Sequence, residues 1–198
     1  MFFTLAALFL IAACSTGTKL SLLPDNATIL AFGDSITFGT GANPEESYPA
    51  LLARLTGRRV VNAGIPGEVT AEGLTRLPEV LEREKPALLI LCHGGNDLLR
   101  RMDQDRAADN LRAMIRLAQG RGTAVLLVAF PSPDLSLTPP PLYRKVAKEL
   151  KVPIEEQALT TILGNGALKS DYIHPNAAGY TRLAEALVTA LKWCGALP

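Results

Sequence analysis

The chain has 198 residues, 48% of them hydrophobic and 20% charged, which points to one globular domain and excludes a disordered polypeptide. Twenty Lys and Arg against nineteen Asp and Glu leave a net charge of +1, so there is no basic surplus for tracking phosphates and no nucleic-acid partner is expected. Three Cys and two His (His93 and His174) exclude a disulfide framework and a His-rich metal site.

The chain opens on MFFTLAALFLIAA, residues 1–13, without a charged side chain. A membrane-spanning helix needs roughly 20 apolar residues, so this run is too short to span and has the length of a signal-peptide core. Leu10-Ile11-Ala12-Ala13-Cys14 resembles a bacterial lipobox, in which the Cys becomes the lipidated mature N-terminus. Lipidation of Cys14 would anchor the protein in the membrane through its acyl chains. Ser15 at the second mature position suits the outer membrane, facing the periplasm. The segment departs from the lipobox pattern in having no Lys or Arg before the apolar run. The competing readings are an ordinary cleaved signal, leaving a secreted or periplasmic protein with Cys14 free, and an uncleaved apolar terminus. Residues 14–26 then read as a tether and 27–194 as the folded domain.

Within the domain, apolar runs alternate with amphipathic stretches. Ala27–Phe32 reads as a buried strand, followed by a helix over Glu46–Leu55 and a second strand over Arg59–Asn62. Thr70–Arg83 has helical spacing, weakened or kinked at Pro78. Ala87–Cys92 is the third strand, stopped by Gly94-Gly95. Asp105–Gln119 is a helix with Ala108, Leu111, Ile115 and Ala118 on one face. Ala124–Phe130 is the fourth strand, a Pro-rich loop runs from Pro131 to Pro141, and Leu142–Leu150 is a helix. Val152–Ile154 forms a short fifth strand, and Asn176–Trp193 a final helix with Tyr180, Leu183, Leu187 and Leu191 on one face. Continuous apolar strands alternating with amphipathic helices predict a mostly parallel sheet of about five strands covered on both faces, a single-domain three-layer α/β/α fold. Ligands of such sheets bind at the carboxyl ends of the strands. Those ends carry Gly33-Asp34-Ser35, Asn62-Ala63-Gly64 and Gly94-Gly95-Asn96-Asp97.

Several cofactor and nucleophile motifs fail. Gly33, Gly39 and Gly41 have the wrong spacing for a dinucleotide turn, and no lysine follows for a phosphate loop. Gly33-Asp34-Ser35-Ile36-Thr37 is only half of the G-x-S-x-G elbow. What remains is Ser35 at the first strand end and Asp171-Tyr172-Ile173-His174-Pro175 ahead of the last helix. Serine is a weak nucleophile without a base, and the base needs an orienting partner. Asp171 and His174, three residues apart in a turn, can supply both. Each piece alone is as well explained by a helix cap or a capped turn.

Four blocks in order carry a resemblance: Gly33-Asp34-Ser35-Ile36-Thr37, Asn62-Ala63-Gly64-Ile65-Pro66-Gly67, Gly94-Gly95-Asn96-Asp97 and Asp171 to Pro175. Across roughly Thr28 to Leu191 the chain resembles the SGNH hydrolases of the GDSL lipase/esterase superfamily. NAGIPGEVTAEGLTRLP and GGNDLLRR bring it nearest the bacterial thioesterase I, lysophospholipase and arylesterase group. The resemblance implies a flavodoxin-like sheet, no cofactor and no metal. It implies a serine hydrolase that cleaves acyl esters or thioesters through an acyl-enzyme on Ser35, with His174 as base and Asp171 as its partner. It further implies an oxyanion hole from the N–H groups of Ser35 and Gly64 and the amide of Asn96. Asp34 and Asp97 are expected to brace their loops. Cys92-His93 stands where arylesterase-like relatives often have an acidic residue, which bears on substrate choice. His93 is read as a locally bonded strand-end residue, Cys92 as an inert buried thiol, and Arg100 and Arg101 as a solvated face. The Pro131–Pro141 loop is expected over the site. The alternatives are a carbohydrate O-acetylesterase of the same fold and a non-catalytic lipid-anchored binding protein.

Overall fold

Each expected apolar run becomes a strand of one sheet. The computed structural model describes residues 18–198; the expected leader at 1–13 and Cys14 lie outside the described residues. The strands are β1 (Thr28–Gly33), β2 (Arg59–Gly64), β3 (Leu88–Cys92), β4 (Ala124–Val128) and β5 (Ile154–Glu155), in the order β2-β1-β3-β4-β5. All four pairings are parallel, with Gly33 opposite both Gly64 and Cys92. Every residue of β3 is buried, as a central strand covered on both faces requires. The strand order reverses direction between β1 and β3, so the carboxyl ends of β1, β2 and β3 form the crevice where α/β sheets bind ligands.

The helices are α1 (Ser35–Phe38), α2 (Tyr48–Thr56), α3 (Thr70–Glu84), α4 (Gly95–Leu99), α5 (Gln104–Gln119), α6 (Pro141–Leu150), α7 (Ala158–Leu163) and α8 (Ala177–Trp193). α2, α7 and α8 pack in one layer and α3, α5 and α6 in the other. α5 and α8 bury the stripes their spacing predicts; α8 seats Tyr180, Leu183, Leu187 and Leu191 at 0% exposure. α3 runs through Pro78 without interruption. Only one N–H is missing from its ladder, and packing of Leu77, Val80 and Leu81 holds the turn. β4 ends two residues earlier than its apolar run, although Ala129 and Phe130 stay buried. β5 begins two residues later than expected, after Pro153, which has no N–H to donate.

Part of the stretch at 14–26 is docked. The N–H of Leu20 donates to the carbonyl of Cys194 at 2.7 Å and that of Leu23 to Ala196 at 3.0 Å. Leu23 is itself buried. Cys92 and Cys194 are buried free thiols.

Candidate active site

Ser35 is the first residue of α1, separated from the end of β1 by Asp34 alone. Asp34 caps that helix, its Oδ1 accepting the N–H of Ile36 at 3.1 Å. A residue at this position has no intrahelical acceptor for its N–H, and among the described residues the Ser35 N–H, beside its own hydroxyl, has no acceptor. Asp34 is 1% exposed. Burial pushes its carboxyl up to about 6, against the opposing pull of His93 and the Ile36 N–H.

Asp171 and His174 come from the loop before α8. An isolated bridge between Lys169 and Pro175 closes this loop, and Asn176 caps α8 by accepting the N–H of Gly179. Asp171 organises its own turn: Oδ1 accepts the N–H groups of Ile173 and His174, both at 2.8 Å. Its Oδ2 lies 2.7 Å from His174 Nδ1. Desolvation opposes the charge on Asp171, but the bonds from His174 and the two backbone N–H groups outweigh it and hold the carboxyl below its ordinary value. His174 Nε2 then reaches Ser35 Oγ at 3.0 Å, across 139 residues of chain. With Nδ1–H donated to Asp171, Nε2 is left to accept the serine proton.

Asn96, in α4, lines the same pocket as Ser35 and His174. Its Nδ2 donates to the carbonyl of Glu68 at 3.0 Å. The second amide hydrogen has only Asp34 Oδ2, at 3.5 Å, which is too long to commit it. Asp97 braces the loop as expected, accepting the N–H and hydroxyl of Thr70 at 2.9 and 2.6 Å. α4 itself was not foreseen, because Gly94-Gly95 reads as a stop whereas Gly94 is its N-cap and Gly95 its first residue.

Gly64 does not stand where the expectation put it. Its N–H donates to Asn62 Oδ1 at 3.0 Å and is already engaged. A Cβ at Gly64 would lie 2.1 Å from the backbone N of Phe38, so glycine is required there for β2 to meet α1. The uncommitted N–H of this segment belongs to Gly67. Ile65 to Glu68 form a turn closed by the Glu68 N–H on the Ile65 carbonyl, with Pro66 second and Gly67 third at φ 81°. That is the pattern of a type II turn. The Gly67 N–H has no acceptor among the described residues, and the next carbonyl, that of Glu68, is the one holding Asn96. The Pro-Gly pair was the available signal.

The pocket walls are apolar: Leu99, Phe130, Pro131, Leu137, Leu163 and Ile173. The Pro-rich loop does border the site, through Pro131, Ser132, Pro133 and Leu137. Arg100 is exposed yet tied down, donating to the Gly67 carbonyl at 2.7 Å. Among the described residues no group of three or more His, Cys, Asp or Glu side chains could hold a metal ion.

Comparison with known proteins bears on the family and the fold. A sequence model of the GDSL-like Lipase/Acylhydrolase family matches residues 31–182. The chain is similar to the esterase TesA of Pseudomonas aeruginosa, at 35% identity over 92% of this chain and 96% of that one. It is 28% identical to thioesterase 1/protease 1/lysophospholipase L1 of Escherichia coli K12, over 83% of each chain. Among solved structures, that of TesA superposes with a TM-score of 0.76 at 34% identity, covering 84% of this chain and 99% of the other.

Proposed function

The chain belongs to the GDSL-like lipase/acylhydrolase family, and from that premise we propose that it hydrolyses acyl esters and thioesters through an acyl-enzyme on Ser35. The observation that carries this reading is the 3.0 Å contact between His174 Nε2 and Ser35 Oγ, with Asp171 2.7 Å behind the ring. As Ser35 Oγ attacks the acyl carbon, its proton passes to His174 Nε2. Asp171 keeps the ring in the required tautomer and stabilises the imidazolium. The carbonyl oxygen becomes negative and is met by the N–H of Ser35, the second amide hydrogen of Asn96 and the N–H of Gly67. His174 then protonates the departing alkoxide or thiolate. Water repeats the sequence on the acyl-enzyme and releases the acid.

The apolar walls formed by Leu99, Phe130, Leu137, Leu163 and Ile173 favour a hydrocarbon acyl group over acetyl on a sugar. The lining offers aliphatic contact and few polar groups to a carbohydrate. Ser35→Ala should retain the fold and lose nearly all hydrolysis of p-nitrophenyl and thioester substrates. A fluorophosphonate should label the peptide containing Ser35. Labelling elsewhere, or full activity in the alanine variant, refutes the assignment.

The location of the enzyme is proposed from the leader: lipidated Cys14 tethers it to the cell envelope. Support comes from the sequence Leu10 to Cys14 alone. Intact-mass measurement of protein from a bacterial envelope should show a diacylglyceryl-modified Cys14. An unmodified Cys14 or a retained Met1 refutes the anchor.

A further inference from the structure

A buried charged cluster stands behind the donor loops and takes no part in the proton transfers. Glu68 and His93 have side chains 5% and 0% exposed, and that of Arg76 is 20% exposed. Arg76 forks onto both carboxylate oxygens of Glu68, through Nε to Oε1 and through Nη2 to Oε2 at 2.7 Å. The same Nη2 reaches the carbonyls of Ala63 at 2.9 Å and Gly33 at 3.3 Å. The guanidinium lies 3.9 Å over the ring of Phe32. On the other side Glu68 Oε2 meets His93 Nε2 at 3.0 Å. His93 Nδ1 accepts the N–H of Gly94 at 3.1 Å, so the ring proton sits on Nε2 and is donated to Glu68. Burial opposes the charge on Glu68, but His93 and Arg76 together hold its carboxyl below the ordinary range.

These contacts have a common geometry. Gly33 is two residues before Ser35. Ala63 is the penultimate residue of β2, ahead of the Gly67 turn, and Glu68 is the last residue of that turn. His93 precedes Gly94-Gly95-Asn96. The cluster therefore grips the backbone of each of the three segments that carry the proposed donors Ser35, Gly67 and Asn96, and the main-chain carbonyl of Glu68 itself orients Asn96.

We infer that Arg76, Glu68 and His93 are positioning residues of the oxyanion hole, holding the donors after β1, β2 and β3 in one fixed arrangement without touching substrate. The inference rests on the reading of Ser35 and Asn96 as catalytic. A preorganised donor set is what gives such sites their rate, and a displacement of about 1 Å can cost about a hundredfold. A salt bridge buried at this depth is weak support for stability, whereas a rigid planar fork on a carboxylate fixes orientation well.

Gly73 offers an independent handle. It lies in α3, where alanine is ordinarily the better helix former. A Cβ there would come within 2.3 Å of His93 Nε2 and 3.3 Å of Glu68 Oε2. Gly73→Ala thus displaces the cluster without leaving a charge unpaired, and stands in where Glu68→Gln fails to fold.

The test is a double-mutant comparison on a p-nitrophenyl acyl ester. Glu68→Gln and Gly73→Ala should each lower kcat by about 10- to 100-fold, with KM within about twofold. In an Asn96→Ala background, itself slowed at least a hundredfold, either change should cost clearly less than it does in the parent, because one of the three donors that the cluster positions is already gone. Full costs in that background, an unchanged kcat in Gly73→Ala, or a loss confined to KM or to melting temperature overturns the inference alone. Normal turnover by Asn96→Ala overturns it together with the reading of the site. Ser35→Ala, which should be inactive, reports on that reading independently.

Discussion

Asp34 should cost the protein stability at neutral pH, and Asp34→Asn should recover it. The carboxyl is 1% exposed and burial lifts its pKa from 3.8 to about 6. Between those values the folded state holds a proton that the unfolded chain has released, so stability falls as pH rises through this window and stays lower above it. Two pK units at about 1.36 kcal/mol each give about 3 kcal/mol. The substituted amide keeps the oxygen that accepts the Ile36 N–H, and Asn and Asp are comparable helix caps. Urea unfolding of both proteins between pH 3.5 and 8 should give equal stabilities at the acid end. The variant should pull ahead through pH 4–6 and end about 2–3 kcal/mol more stable at pH 7. Turnover should nevertheless fall, because the new NH2 would face the Asn96 amide now 3.5 Å from Oδ2, and two donors repel. A variant less stable than the parent at pH 7, or a gap independent of pH, refutes the argument.

Gly64→Ala must push α1 away from β2, since its Cβ would lie 2.1 Å from the Phe38 nitrogen; a loss of about 1–3 kcal/mol and a lower kcat are expected in denaturant titration and esterase assay. Leu163→Trp narrows the pocket wall, so kcat/KM for long acyl esters should drop at least about tenfold relative to acetyl in a chain-length series. Cys92 and Cys194 are free and buried, and burial raises the Cys92 thiol well above its ordinary value; a thiol reagent should therefore leave both unmodified in the native protein and titrate both after unreduced denaturation. Native labelling of Cys92 within minutes contradicts that placement.

The parts of this site legible in the sequence are those with local chemistry. Apolar runs of five or six residues between amphipathic stretches dictate the parallel sheet, because nothing else buries both faces of such strands. Asp171 and His174 share one turn, so their pairing follows from spacing, and the sheet rule brings Ser35 to the same edge. Short elements left no periodic trace: α4 and α7 have five and six residues, fewer than two turns, and the Gly94-Gly95 signal for a stop also serves a helix start. The donor after β2 was misplaced for a related reason. Gly64 and Gly67 both lie in one glycine-bearing block, and composition cannot tell a glycine needed for close packing from one needed for a turn. Only the hydrogen-bond partners separate them: the first N–H is taken by Asn62 and the second is left open.

The cluster behind the site was illegible for a different reason. Glu68, Arg76 and His93 sit on a turn, a helix and a strand end. Each alone reads as a surface charge or a local bond, and their meaning comes from tertiary convergence. That convergence also explains why burying a charge at Asp34 is tolerable here. With Arg76 bonded to Gly33 and Ala63 and His93 bonded to Glu68 and Gly94, the backbone around Asp34 is held from two sides. The capping carboxylate is thereby kept against α4 at the cost in stability worked out above. A donor set that must meet a developing negative charge needs fixed dipoles more than it needs stability. The fold spends about 3 kcal/mol on an uncomfortable aspartate in a place where an asparagine would be more stable and would point a competing donor at Asn96.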